Sequence, residues 1–340
     1  MSVVGRLRTL AGRLAGRRGS PGIVLMYHRV ASDLVDPWRL CVSPANFVAQ
    51  LEVLAAHFRV ATLHELVAAR GSDGSRPSVA ITFDDGYADN LHAAAPLLVR
   101  QGLPATFFLT SGTLGSDHEF WWDELDQLLL QPGALPSRLD VPLGDERWTI
   151  ETGPAAAPLG DPRNAAAACV PWEAAPSTRI GLYYSVWKSL RALDDVARRV
   201  ALDELARQVG VTASRRDSHR TLTRDEACEL ARLPGVEIGA HSVTHVSLPE
   251  CTPTQQLQQM QQSRRDLESM VDRPVTGFAY PFGDISRRTL RLAESAGFDY
   301  ACTTEAGCVD RATQPHRIPR IVAEDWPAER FAQRLAEVLQ

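Results

Sequence analysis

The chain has 340 residues, 44% hydrophobic and 23% charged, the composition of a globular protein and not of a disordered or fibrous one. A formal net charge of −5 excludes a protein whose main business is wrapping nucleic acid, which needs a clustered cationic excess. Cysteines at 41, 169, 228, 251, 302 and 308 form no Cys-x-x-Cys pair and no zinc-knuckle spacing, and are read as reduced thiols.

The segment 1–22 carries Arg6, Arg8, Arg13, Arg17 and Arg18 and lacks the uninterrupted apolar run of about seven residues that a secretory signal requires. A cytoplasmic location is therefore expected, with contact at the inner face of the membrane as its variant. Val3, Val4, Leu7, Leu10, Ala11 and Leu14 fall near one helical face, as in a helix lying on an anionic membrane surface; a frayed basic tail is the alternative. No stretch approaches the ~20 apolar residues that span a bilayer.

From residue 23 onward, short β-branched or aromatic runs recur with helical patterns between them. Strands are expected at Ile23–Tyr27, Arg59–Thr62, Val79–Phe83, Ala105–Leu109, Val236–Ala240, Thr276–Tyr280, Tyr300–Thr303 and Arg317–Val322. Several are apolar almost throughout, which is how strands buried on both faces read, and alternation with helices predicts a parallel sheet. Helices are expected at Pro44–His57, Tyr87–Gln101, Thr223–Arg232, Thr254–Val271, Ser286–Ala296 and Ala328–Leu339. Thr223 is followed three residues later by Glu226, Thr254 introduces a Gln-rich amphipathic run, and Gly102 and Gly297 stand where a left-handed closing residue is wanted.

Between Ser116 and Thr221 the rhythm breaks, through a Pro-, Gly- and Ala-rich stretch at 153–176, and residues 116–221 are read as a largely helical insertion. A strand is expected at Arg147–Glu151 and two helices around Asp194-Asp195. The expected organisation is a basic segment, 1–22, and one α/β domain, 23–340, interrupted by that insertion.

Residues able to do chemistry follow the predicted strand ends: His28, then Asp84-Asp85, then His241 to His245, then Tyr280-Pro281-Phe282-Gly283. In a barrel of parallel strands those positions share one rim, where such folds keep their active sites. Adjacent carboxylates repel unless a cation or proton intervenes, although Asp-Asp-Gly alone is also an ordinary turn. His241 and His245, four apart, would place both rings on one side of a helical turn and grip one metal ion, or one of them could be a hydrogen-bonded core residue. Two imidazoles with one carboxylate leave room for water, and the second carboxylate would then act as a general base.

Thr82-Phe83-Asp84-Asp85-Gly86, His241-Ser242-Val243-Thr244-His245 and Phe278-Ala279-Tyr280-Pro281-Phe282-Gly283 resemble, in order and internal spacing, the signatures of the polysaccharide deacetylases of NodB type, carbohydrate esterase family 4. The resemblance covers about 23–115 and 222–325, and Val24-Leu25-Met26-Tyr27-His28-Arg29-Val30 resembles the subgroup linked to exopolysaccharide and poly-N-acetylglucosamine modification. It implies a distorted (β/α)7 barrel, with Asp84 as base and Asp85, His241 and His245 as ligands of a divalent metal, zinc first and cobalt or nickel next. It implies hydrolysis of acetamides on an N-acetylated glycan, polysaccharide or precursor, with the metal and a backbone N–H near Tyr87 holding the oxyanion.

The sequence departs from that family in two places. Ala279 stands where an arginine usually orients the base, and Arg320 is expected to supply the guanidinium from another strand. The late Leu-x-His motif is also absent, leaving His28, ahead of His316, as the candidate general acid. Tyr280, Pro281 and Phe282 are expected to wall the pocket, and Trp326 to cover the acetyl group. Hydrolysis of another C–N bond (imide, ureide or formamide) and a non-catalytic carbohydrate-binding barrel are the alternative functions.

Overall fold

The computed structural model describes residues 21–32, 35–70, 76–212 and 214–339. The amphipathic pattern at 3–14, with the membrane contact it suggested, lies outside the described residues. The chain forms two compact units: one from Met1–Ser32, Leu40–Gly115 and Thr221–Gln340, the other from Asp33–Arg39 and Ser116–Arg220.

In the first unit seven strands form a parallel sheet: β1 (Ile23–Tyr27), β2 (Ser78–Phe83), β3 (Ala105–Leu109), β4 (Val236–Ala240), β5 (Gly277–Ala279), β6 (Tyr300–Cys302) and β7 (Ile321–Val322). Their spatial order is β6-β5-β4-β3-β2-β1-β7, and Arg59–Val60 pairs with the start of β2. The edges meet at a parallel bridge between Cys302 and Ile318, so the sheet curls into the distorted barrel that the sequence resemblance implied. Side chains alternate across the pleat. Leu25, Ile81, Phe107, Phe278 and Ala301 join the large cluster under the helices, whereas Val24, Ala80, Phe108, Ala279 and Cys302 form a smaller interior cluster. Both faces are buried, which is why the strands read as unbroken apolar runs.

The outer helices include Pro44–His57, Arg224–Arg232, Pro253–Val271, Arg287–Ser295 and Ala328–Val338, close to their expected spans. Prolines account for the clearest differences. The expected helix from Tyr87 is instead a π turn, Asn90–Ala94, running into Ala95–Gln101. Pro96 has no N–H to donate, and Ala95 N–H reaches back to Asn90 O. β5 stops before Tyr280-Pro281, and β7 is confined to residues after Pro319, because proline cannot continue a ladder.

The second unit holds helices Trp121–Leu129, Arg179–Arg191 and Asp195–Val209 with an antiparallel hairpin, Arg138–Leu143 against Glu146–Glu151. Asp194 caps the third helix by accepting from Ala197 N–H. The first hairpin strand was hidden in the sequence by Pro142. Trp38, far from this region in sequence, also belongs here: its Nε1–H donates to Tyr183 Oη at 2.8 Å, and its ring lies 4.5 Å from that of Trp187.

The barrel interior is tight. A Cβ on Gly239 would lie 2.3 Å from the Phe108 ring. Gly239→Ala is therefore expected to lower barrel stability by about 1–3 kcal/mol through overpacking, read as a lower urea midpoint at unchanged m-value.

Candidate metal centre

The rim residues are placed by the pleat and by backbone that leaves it abruptly. Ala80 and Thr82 face inward, so Asp84 does too, and its N–H donates to Tyr27 O at 3.0 Å. Asp85 then turns at φ 75 and Gly86 at φ 89. On the other side of β3, His241 N–H donates to Leu109 O at 2.9 Å, after which Ser242 (φ 64) and His245 (φ 54) fold the chain back. The two imidazoles thus converge from a loop and not from the helical turn their spacing suggested; their centroids are 4.8 Å apart. With Phe282 (φ 59), this rim holds four of the six non-glycine residues of positive φ among the described residues. Such conformations persist where the surroundings over-determine the backbone, commonly at ligand sites.

His241 Nε2 and His245 Nε2 stand 3.4 and 3.2 Å from Asp85 Oδ1, and the three ligand atoms all lie within 4.8 Å of one another. Donors bonded at ~2.1 Å to a tetrahedral ion are about 3.4 Å apart. His241 Nδ1–H donates to Ala279 O at 2.8 Å, which leaves the Nε2 lone pair turned inward. Asp85 Oδ1 is buried and, among the described residues, accepts no well-aligned hydrogen bond. Two imidazoles, one carboxylate and an unsatisfied buried oxygen fit a divalent cation with an open position.

Asp84 is satisfied differently. Arg320, fully buried, donates from Nη1 to Asp84 Oδ1 (2.7 Å) and from Nη2 to Oδ2 (2.6 Å). Its Nε donates to Thr303 O at 2.9 Å, and Nη1 also reaches Thr82 Oγ1 at 3.2 Å. The side chain enters just before β7, in an interior where Ala279 presents only a methyl group. Sequence reasoning pointed to this arginine, and the structure brings it to Asp84.

Burial alone would push both aspartates up. The Arg320 charge, aided by His241, holds Asp84 below the ordinary carboxylate value, and the two imidazoles beside Asp85 hold it well below. Burial also disfavours the imidazolium forms. At His241 the charges of Asp84 and Asp85 outweigh it and raise the pKa, whereas at His245 burial prevails and lowers it. One guanidinium against two buried carboxylates leaves the surplus negative charge on Asp85, beside the two imidazoles.

His28 follows β1 half-buried, near enough for its charge to bear on both Asp84 and Asp85. His316 lies elsewhere: its Nε2–H donates to Phe298 O at 2.8 Å, just ahead of β6 and so at the opposite end of the barrel. Tyr280 is fully buried in the outer core with its hydroxyl on His316 O at 3.0 Å, and the buried Tyr87 ring lies under the Arg29 guanidinium at 4.2 Å. Pro281 is buried, Phe282 packs edge-on at 4.5 Å from the His245 ring, and Trp326 lies partly buried against the outer core with its carbonyl on Gln50. Sequence reasoning passed over the ion pair of Arg29 with Asp89 (2.9 Å), which fixes the chain after His28 through Asp89 Oδ1 and Val30 N–H. The arginine inside Tyr-His-Arg-Val was its only signal.

Residues 71–132 and 211–301 match the family described as polysaccharide deacetylase. The putative polysaccharide deacetylase YxkH of Bacillus subtilis is 31% identical over 100 residues, a match spanning 29% of this chain and 36% of that relative's length. Similarity of fold runs further. The deacetylase PplD of Streptococcus pyogenes aligns with TM-score 0.58 at 16% identity, covering 95% of this chain and 99% of the other. IcaB of Ammonifex degensii aligns with TM-score 0.57, also at 16% identity, covering 95% and 98%. The curled parallel sheet is thus that of the NodB-type deacetylases. In sequence the chain is thus similar to the polysaccharide deacetylases over less than half of its length, and in fold over nearly all of it.

Replacing Arg320 with methionine leaves Asp84 buried and unpaired, which is expected to cost roughly 3–5 kcal/mol in chemical denaturation at neutral pH. Because the folded pKa of Asp84 is depressed, the pair stabilises above the unfolded value of about 3.9 and its contribution fades as pH falls through the lower folded value. The stability gap between parent and Arg320→Met should accordingly narrow below about pH 4.

Proposed function

We propose that this protein removes acetyl groups from N-acetylated sugars of a polysaccharide or its glycan precursor, using one divalent ion, zinc first, held by Asp85, His241 and His245. The observation that carries the reading is the division of labour between adjacent aspartates: Asp85 faces two imidazole nitrogens, while Asp84 is held apart by Arg320. The polymer-directed chemistry rests on the family, and the S. pyogenes relative of the same fold is described in complex with acetate, the product such a reaction would release.

A bound divalent ion supplies Lewis acidity, polarising an acetyl carbonyl and lowering the pKa of water from 15.7 towards ~7. The protein's own residues do the rest. Asp84 offers about four lone-pair sites, of which the guanidinium occupies two, and its depressed pKa keeps it ionised and able to accept a proton from water. Water oxygen joins the acetyl carbon, the C–N bond breaks, and the sugar amine leaves with a proton. His28, beside both carboxylates, is the side chain we assign to deliver it. Phe282 against His245 shields the imidazole edge from solvent.

Asp84→Asn should retain one equivalent of metal and lose on the order of 10²–10⁴ in acetate release from N-acetylhexosamine oligomers, whereas His245→Ala should lose metal and turnover together. Parental turnover by Asp84→Asn would remove Asp84 from its role. Stripping the protein with a chelator should abolish acetate release, and zinc or cobalt should restore it; full activity after complete stripping would sink the metal assignment.

A further inference from the structure

The Gln-rich run noted in the sequence forms helix Pro253–Val271, and its glutamines have separate tasks. Gln255 completes a capping box with Thr252. Gln256, buried, donates to Cys251 O at 2.9 Å and accepts from Thr289 Oγ1 at 3.0 Å. Gln259 reaches across to the imidazole loop. Its Oε1 accepts the N–H groups of Val243 (2.9 Å) and Thr244 (3.1 Å), and its Nε2 donates to Thr244 Oγ1 at 3.2 Å. Those two residues lie between Ser242 and His245, both in the left-handed region.

Farther along the same face, Gln262 donates to Asp266 Oδ1 at 2.6 Å, and Asp266 Oδ2 accepts from Ser111 Oγ at 3.2 Å. The loop after β3 then grips the imidazole loop from its other side. Ser111 N–H donates to Ser242 O at 3.2 Å and Gly112 N–H to Val243 O at 2.9 Å. A Cβ on Gly112 would stand 2.6 Å from Val243 O, so only glycine permits that approach. Ser242 Oγ also accepts the N–H of His245 at 3.0 Å.

We infer that Gln259 is a positioning residue for the metal centre: its side-chain amide clamps Val243 and Thr244 and so holds His245 in the left-handed conformation that turns Nε2 toward Asp85. The inference rests on the metal reading above. Non-glycine residues do not adopt the left-handed region by preference, so the loop needs outside contacts to stay there. His241 is anchored independently, by its backbone bond to β3 and by Ala279 O. His245 depends on the loop. Relaxing its φ would swing the ring off Asp85 while leaving the barrel intact.

The test measures zinc affinity by chelator competition, the absorption spectrum of the cobalt-loaded protein and the thermal midpoint of the metal-free protein, in the parent and three variants. Gln259→Leu keeps the bulk and removes all three hydrogen bonds; it should bind zinc about 10–100-fold more weakly, as loss of an outer-sphere partner does, at an unchanged metal-free midpoint. Its cobalt spectrum should lose the intensity of the parent's low-coordinate site. Gln259→Glu keeps the acceptor and loses the donor, and should fall between. Gln258→Leu, at an exposed position of the same helix, should match the parent. Zinc affinity of Gln259→Leu within about twofold of the parent overturns the clamp, as does weak binding that merely tracks a lowered metal-free midpoint. Should the leucine variant fail to fold, Gln259→Glu decides: weaker binding at the parental midpoint supports the clamp, and parental affinity overturns it. A parent that takes up no divalent ion overturns the metal reading and the clamp together, whereas tight binding by both parent and Gln259→Leu overturns the clamp alone.

Discussion

The site is organised around one buried ion pair, the fork of Arg320 on Asp84. Two aspartates adjacent in sequence and both almost fully buried would, without it, share one environment and one repulsive penalty. The guanidinium separates them. One becomes a carboxylate whose charge is balanced inside the protein; the other retains its charge toward two imidazoles. Acid–base roles diverge wherever environment drives two like groups apart, and here a single side chain supplies the difference. The desolvation cost of burying Arg320 is met by four acceptor contacts, including Thr303 O and Thr82 Oγ1, so the pair is rigid as well as neutral.

The barrel makes that arrangement possible through its small interior. Glycine at 239 and 277 makes room for the Phe108 and Tyr300 rings, and alanine at 80 and 279 keeps the neighbouring side chains small, where the Arg320 guanidinium lies 5.7 Å from the Phe108 ring centre.

Much of this was legible in the residues. Ile23–Tyr27 and Ala105–Leu109 are strands over their full expected lengths because burial on both faces leaves an apolar run, and Val236–Ala240 matches its expected length as well, with Glu237 half-buried within it. The rim could be read because Asp84, Asp85, His241 and Phe282 each follow such a run, and Arg320 because the family resemblance implied a guanidinium that Ala279 does not supply. What the residues did not disclose depends on backbone angles or on long-range contact. Four-residue spacing suits a helical turn, and nothing local announces that Ser242 and His245 adopt positive φ. Tyr280 lies within the motif yet turns its ring into the core, its hydroxyl on the carbonyl of His316 36 positions away. Trp38 joins the second unit through Tyr183, and Gln259 meets Val243 through a loop and a helix that sequence spacing cannot bring together.

Asp84 and Arg320 are separated by 236 positions, with the long segment Ser116–Arg220 of the second unit encoded between them. During synthesis, which proceeds at roughly 5–20 residues per second from the N-terminus, Asp84 therefore leaves the ribosome well before the cation that steadies it. Until β7 docks beside β1, the aspartate has no guanidinium, and a nascent barrel that has closed over the rest of its rim is still electrostatically incomplete. The electrostatic balance of the rim is thus a property acquired at the end of folding, coupled to the arrival of the final strand.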